Sequence, residues 1–176
     1  MITDQERTDL LDCLHETSAA LIHAVETFPV NRFGEPPAEG RWSAAQTLEH
    51  IVFVEGRALG RVKMALAEPP SPDRRSAMEG KDAELFAGVR IRANRVDAPA
   101  ILQPAGGKSR EELLEAFRAA RASTIQYASE VQSDLRCHFA PHPVFGGDLD
   151  CFQWLMIIPS HGERHRLQIE EIRASF

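Results

Sequence analysis

His161 and His165 stand four residues apart. Residues at that separation on a helix project side by side, close enough for two imidazoles to share one metal ion. With Trp154 set at 0° on a helical wheel, His161 falls at about 340° and His165 at about 20°. Ile157, Ile158, Ile169 and Ile172 lie within about 60° on either side, so the pair occupies the centre of an apolar stripe. Adjacent imidazoles in such a stripe lose water and need partners. Three readings fit: metal ligands, core histidines satisfied by hydrogen bonds, or a pocket wall without metal. Glu163 falls at about 180°, on the solvent side with Arg166 and Glu170. That excludes an H-E-x-x-H arrangement, in which the glutamate must reach a metal-bound water.

His50 is the best candidate for a third ligand. The stripe of its helix is Leu48, Leu59, Val62 and Leu66, and His50 lies about 160° from Leu59 and Leu66. Yet Ile51-Val52-Phe53-Val54 makes the helix apolar all round at this level, which implies burial on more than one side. A surface histidine is the alternative. His15 and His23 fall off the apolar stripe of the first helix and read as surface. His138 and His142 lie in the loop before the last helix, and His142, between Pro141 and Pro143, is placed to line a site mouth.

Other groups border the same faces. Gln168 lies on the histidine stripe, where it could bond an imidazole N–H and select its tautomer. Tyr127 lies on the inner face of the third helix, to meet a substrate or to cap the core. Arg121 borders that face as an anion-binding group or half of an internal ion pair. Cys151 falls in the first turn of the last helix, where the helix dipole favours a thiolate, but no paired histidine makes it a nucleophile. Glu49 points about 100° away from His50 and Glu55 is no closer, so no carboxylate is assigned as a base.

Four helices must position these residues. The first runs from about Asp4 to Phe28, with Leu10, Leu14, Leu21, Val25 and Phe28 on one face and Pro29 as its stop. The second opens at Ser43, which forms a capping box with Gln46, and ends before Pro69-Pro70. The third opens at Ser109, with Glu112 completing the same box. The fourth opens at Asp150, with Gln153 three residues on and Leu149 and Trp154 spaced as a hydrophobic staple. Short links join antiparallel neighbours in a bundle, and the one long link, between helices two and three, can return the chain to start a parallel helix. The expected fold is therefore an all-α, up-down-down-up four-helix bundle in one domain over residues 1–176. Within the crossover, Val89-Arg90-Ile91-Arg92 alternates like a short strand or an extended edge, and Pro69 to Lys81 reads as the mobile part. Pro159 should kink the last helix just before the histidine pair.

Composition narrows the function classes. The 176 residues carry 20 Lys+Arg against 26 Asp+Glu, a formal charge of −6, which argues against nucleic acid as the main partner. Arg90, Arg92 and Arg95 form a local basic cluster too small for a duplex. No apolar run approaches the roughly 18–20 residues of a membrane span, so no membrane partner is expected. The polar, acidic N-terminal residues lack a signal-peptide layout. Three cysteines without C-x-x-C spacing fit a reducing cytoplasm.

The stretch Trp42-Ser43-Ala44-Ala45-Gln46-Thr47-Leu48-Glu49-His50 resembles the second-helix signature of the DinB-like superfamily of metal-dependent enzymes. His142-Pro143, Phe145-Gly146, Gln153-Trp154-Leu155, His161-x-x-x-His165 and Gln168-Ile169 resemble its C-terminal signature. Ala98-Pro99, Pro104, Arg121 and Asp134-Leu135-Arg136 follow the pattern between them. The resemblance spans nearly the whole chain and implies a four-helix bundle, a metal held by His50, His161 and His165, and a homodimer. Three neutral imidazoles leave the charge of a divalent ion intact and positions open, a catalytic rather than a closed pattern. Zinc or nickel suits imidazole best, with manganese or iron as alternatives. The function implied is a small-molecule hydrolase using metal-bound water. A thiol-dependent S-transferase or isomerase, with a low-molecular-weight thiol at the metal, is the first alternative. A non-catalytic metal-binding bundle is the second.

Overall fold

A computed structural model describes residues 1–78, 80–92 and 98–176. Its four long helices are α1 (Asp4–Glu26), α2 (Ala44–Leu66), α4 (Arg110–Glu130) and α5 (Cys151–Ala174), with a shorter α3 (Asp82–Arg90) in the crossover. Every long helix starts at a complete capping box: Thr3 with Glu6, Ser43 with Gln46, Ser109 with Glu112 and Asp150 with Gln153. Each box supplies reciprocal partners for N–H groups that the first helical turn leaves unpaired.

Side-chain bonds between helix ends establish the directions. Arg7, near the start of α1, donates to the carbonyls of Ala128 and Val131 at the end of α4. At the other end Arg118 of α4 pairs with Glu26 of α1 at 2.7 Å, so these two helices are antiparallel. Arg173 of α5 reaches Thr27 beyond α1, which makes α1 and α5 parallel. Lys108–Glu49 and Arg121–Glu55 match α2 and α4 in parallel. The bundle is up-down-down-up.

The extensive helix packing joins α1 to α4 and α5, and α2 to the same two. α1 and α2, and likewise α4 and α5, therefore stand across diagonals, contrary to the expectation that the shorter links join neighbours. With helices about 8–10 Å apart, a diagonal is roughly 11–14 Å, within easy reach of the links over residues 27–43 and 131–150. The second of those links carries a hairpin, β1 (Phe139–His142) against β2 (Gly147–Asp150), antiparallel, with Phe139 opposite Asp150 and His142 opposite Gly147.

The crossover departs from the sequence reading. Val89 and Arg90 close helix α3 rather than forming a strand, and Ile91 turns extended, with φ −66° and ψ 123°. Asp82 and Glu84 favour the first turn of α3. Leu85, Phe86 and Val89 then bury one face against the bundle, a helical pattern that the four-residue alternation concealed. Residues 69–78, within the segment read as mobile, include a 3-10 stretch, Pro72–Met78. They are tied to the hairpin region by Ser71 N–H to the Cys137 carbonyl and by Arg74–Asp148. Arg95 of the basic cluster lies outside the described residues.

Two apolar clusters form the core. One gathers Leu10, Leu14, Ala58, Val62, Ala128, Leu155 and Ile158, and the other Leu21, Leu48, Ile51, Leu113, Phe117 and Ile169. Between them on each of the four long helices sit polar or small residues: Thr17, Glu55, Arg121 and the His161–His165 turn with Gly162. No helix among the described residues is long and apolar enough to cross a membrane.

Candidate metal centre

His161 and His165 present their rings one turn apart on α5, with centroids 4.4 Å apart. The antiparallel packing of α2 on α5 brings His50 to the same point. Its ring lies 5.1 Å from that of His161 and 4.9 Å from that of His165. One ring nitrogen from each of the three lies within 4.8 Å of the others. His50 and His165 are buried, while His161 is partly exposed. Trp42, just before α2, lays its indole 4.8 Å from the His50 ring and walls that side.

Two of the three tautomers follow from hydrogen-bond chemistry. His50 Nδ1 is 2.8 Å from the carbonyl of Leu102, which only accepts, so the proton is on Nδ1 and Nε2 offers a lone pair. His165 Nδ1 lies 2.9 Å from Gln168 Oε1 and donates to it, which leaves its Nε2 free as well. His50 Nε2 and His161 Nε2 are 3.3 Å apart. Zinc bonded to nitrogen at about 2.0–2.1 Å in a tetrahedron separates its ligand nitrogens by about 3.3 Å. The donor set, the tautomers of His50 and His165 and the His50–His161 spacing fit a divalent ion.

Electrostatics keeps the rings neutral, the form that ligates. Burial pushes His50 below its ordinary pKa, against the bond to Leu102. His161 lies well below, through burial and then the proximity of His165 and His50. For His165, burial, then the proximity of His50, outweigh the Gln168 bond and lower the value to about 3.

The other residues singled out in the sequence divide into two groups. Gln168 joins the cluster through His165. His142 sits in β1, its ring 4.7 Å from that of Trp154 and 4.5 Å from that of Phe145, and its Nδ1 accepts the N–H groups of Val144 and Phe145. Arg121 is bound elsewhere: its guanidinium forms a bidentate pair with Glu55 at 2.8 and 3.1 Å and donates to the Leu14 carbonyl, with both partners buried. Tyr127 packs against the apolar cluster around Phe152, with Lys63 Nζ 5.1 Å from its ring. Cys151 is buried and its thiol is pushed up to about 12 by burial, an inert group. Glu49, beside His50 in sequence, turns to Lys108 and the Gly106 N–H. Burial alone would raise its pKa, but those bonds prevail and hold it below the ordinary range.

Trp42, Leu102 and Arg92 belong to the surroundings of the cluster without having been assigned a role from sequence. A backbone carbonyl such as that of Leu102 leaves no trace in residue type. Arg92 registered only as part of a basic cluster, yet it reaches Gln168 at 3.2 Å and the carboxylate of Glu171 at 2.6 Å.

Fold and site together define a four-helix-bundle protein with a buried three-histidine cluster fit for a metal ion. The DinB superfamily model matches residues 14–169, and the chain belongs to the DinB superfamily. An uncharacterized Bacillus subtilis (strain 168) protein, YuaE, is 27% identical over 146 residues, covering 81% of this chain and 83% of its own length. Among solved structures, this fold is similar to that of YfiT from Bacillus subtilis, with a TM-score of 0.65 at 17% identity. The match covers 98% of this chain and 88% of YfiT. YfiT is described as a probable metal-dependent hydrolase with an unusual four-helix bundle topology.

Proposed function

We propose that this protein is a metal-dependent hydrolase of a small molecule, with a divalent ion, zinc or nickel first, held by His50, His161 and His165. The observation that carries the reading is the convergence of three neutral imidazoles, two of them with the proton directed away from the shared point. When bound, such an ion polarises a carbonyl and makes water acidic enough to attack near neutral pH. The protein's own contribution is orientation. Leu102 and Gln168 hold two rings in the ligating tautomer, Trp42 walls the cluster, and the partly exposed His161 marks the side open to a substrate. No protein carboxylate or thiol joins the three histidines among the described residues, so the proton acceptor is sought in the substrate or in solvent.

A second reading rests on that same donor set. Neutral ligands leave a full positive charge at the ion, which favours an anionic thiolate, and a low-molecular-weight thiol cosubstrate would make the reaction an S-transfer or isomerisation. Metal analysis of untagged protein, with the His50→Ala, His161→Ala and His165→Ala variants, tests the site. An ester, amide and thiol-adduct screen of the loaded protein then separates the two reactions. Turnover only with added thiol would replace the hydrolase reading. We further expect a homodimer in the cytoplasm. Light scattering at the mass of a single chain would remove the dimer.

A further inference from the structure

The amide of Gln168 can face His165 in two ways. With Oε1 toward Nδ1 it accepts a proton and leaves Nε2 free. With its NH2 group toward Nδ1 it donates, and the imidazole proton is driven to Nε2, the atom needed for ligation. Something must choose between these orientations. Arg92, two residues beyond α3, places Nη1 3.2 Å from Gln168 Oε1. A guanidinium has only donors, so it requires the oxygen and rejects the NH2 group. The same oxygen lies 2.9 Å from His165 Nδ1 and accepts from both.

Arg92 is itself held. Its Nε and Nη2 form a two-point pair with Glu171 at 2.9 and 2.6 Å, and Nη1 also donates to the carbonyl of Arg164. Its side chain is largely buried, at 20% exposure. Leu102, farther along the same crossover, performs the equivalent service for His50 with a backbone carbonyl.

We propose that Arg92 is a positioning residue that sets the tautomer of His165 by orienting the Gln168 amide, so that the crossover, through Arg92 and Leu102, presets the metal-binding face of two histidines. The consequence for the ion rests on the metal-site reading above; the tautomer does not. Simple electrostatics predicts the opposite effect on affinity. Removing a cation beside the site, and freeing the carboxylate of Glu171, would strengthen binding of a metal ion.

The test has two arms. In metal-free protein, 15N shifts of the imidazole nitrogens report the tautomer. Wild type should show His165 protonated at Nδ1, and Arg92→Ala should move it toward Nε2. Gln168→Glu presents only acceptors and cannot turn a donor to the ring, so Arg92→Ala in that background should leave the Nδ1 tautomer in place. An unchanged His165 tautomer in Arg92→Ala, or an equal shift in both backgrounds, overturns the proposal. In the second arm, cobalt(II) titration should show affinity reduced about 10–100-fold by Arg92→Ala and restored by added Gln168→Glu. Affinity raised in Arg92→Ala would overturn the proposal. Tautomers as expected in a wild-type protein that binds no cobalt would overturn the metal site and leave the role of Arg92 standing. Glu171→Gln, which breaks the ion pair but keeps Arg92 beside Gln168, should retain the wild-type tautomer, and its loss there would assign the effect to the ion pair.

Discussion

His50 Nε2 and His161 Nε2 face each other at 3.3 Å across the α2–α5 interface, although 111 residues separate them in the chain. With the His50 proton committed to the Leu102 carbonyl, a lone pair points at the second ring, an arrangement that a shared proton or a cation must satisfy. His161→Ala should therefore abolish metal content and keep the bundle folded, because the two apolar clusters do not depend on that ring. Wild type should hold about one ion per chain, and chelation should lower its melting temperature without unfolding it. Elemental analysis beside circular dichroism checks both. Stoichiometric metal retained in His161→Ala would count against the site.

The Arg121–Glu55 pair is buried between the two apolar clusters, with Arg121 held also by Leu14 and Thr17. Removing one partner strands a charge where water does not reach. Glu55→Ala should cost about 3–5 kcal/mol in urea unfolding. The double variant Glu55→Leu with Arg121→Met should recover most of that loss, since it removes both charges and retains volume. A double variant as unstable as the single one would mean that the pair does more than neutralise itself.

Arg136 ties four segments together. It pairs with Glu6 of α1, Asp82 of α3 and Asp150 at the head of α5, and stacks over Phe152. Burial opposes its charge, but those carboxylates prevail and lift its pKa above the ordinary arginine value. Arg136→Met should destabilise the protein by about 3 kcal/mol, chiefly by leaving the buried Asp150 carboxylate without its cation. Hydrogen exchange should accelerate first in α3, whose anchoring carboxylate Asp82 loses this partner. Uniform acceleration over the whole bundle would contradict that assignment.

His142 carries a pH prediction. Burial lowers its pKa to about 4, against about 6.5 in an unfolded chain, so between those values the unfolded state binds more protons. Its contribution is complete above about pH 6.5 and is lost as pH falls through about 4. After discounting for partial exposure, that contribution is on the order of 1–2 kcal/mol. His142→Phe keeps an aromatic ring against Trp154 and Phe145 but cannot titrate. Metal-free wild type should lose more stability from pH 7.5 to pH 4.5 than this variant does. Parallel pH profiles would show that His142 titrates normally in the folded state.

Local chemistry was legible in the residues alone. The capping boxes at Ser43, Ser109 and Asp150 act within four residues, and helical period alone sets His161 and His165 side by side on a buried stripe. The direction of Glu49 away from the cluster followed from the same geometry. Over four residues the signal was weaker, and Val89 to Arg92 alternated like a strand while α3 buried a helical face. The tertiary structure decided everything that depends on which helices meet. Links long enough to cross a diagonal placed α2 on α5 and α4, which delivered His50 to the pair on α5 and gave Arg121 to Glu55 rather than to a ligand. It also decided that a carbonyl at Leu102 and a guanidinium at Arg92 would orient the imidazoles. Periodicity constrains a side chain relative to its own helix axis, whereas a contact across the bundle requires the packing of whole helices to be solved first.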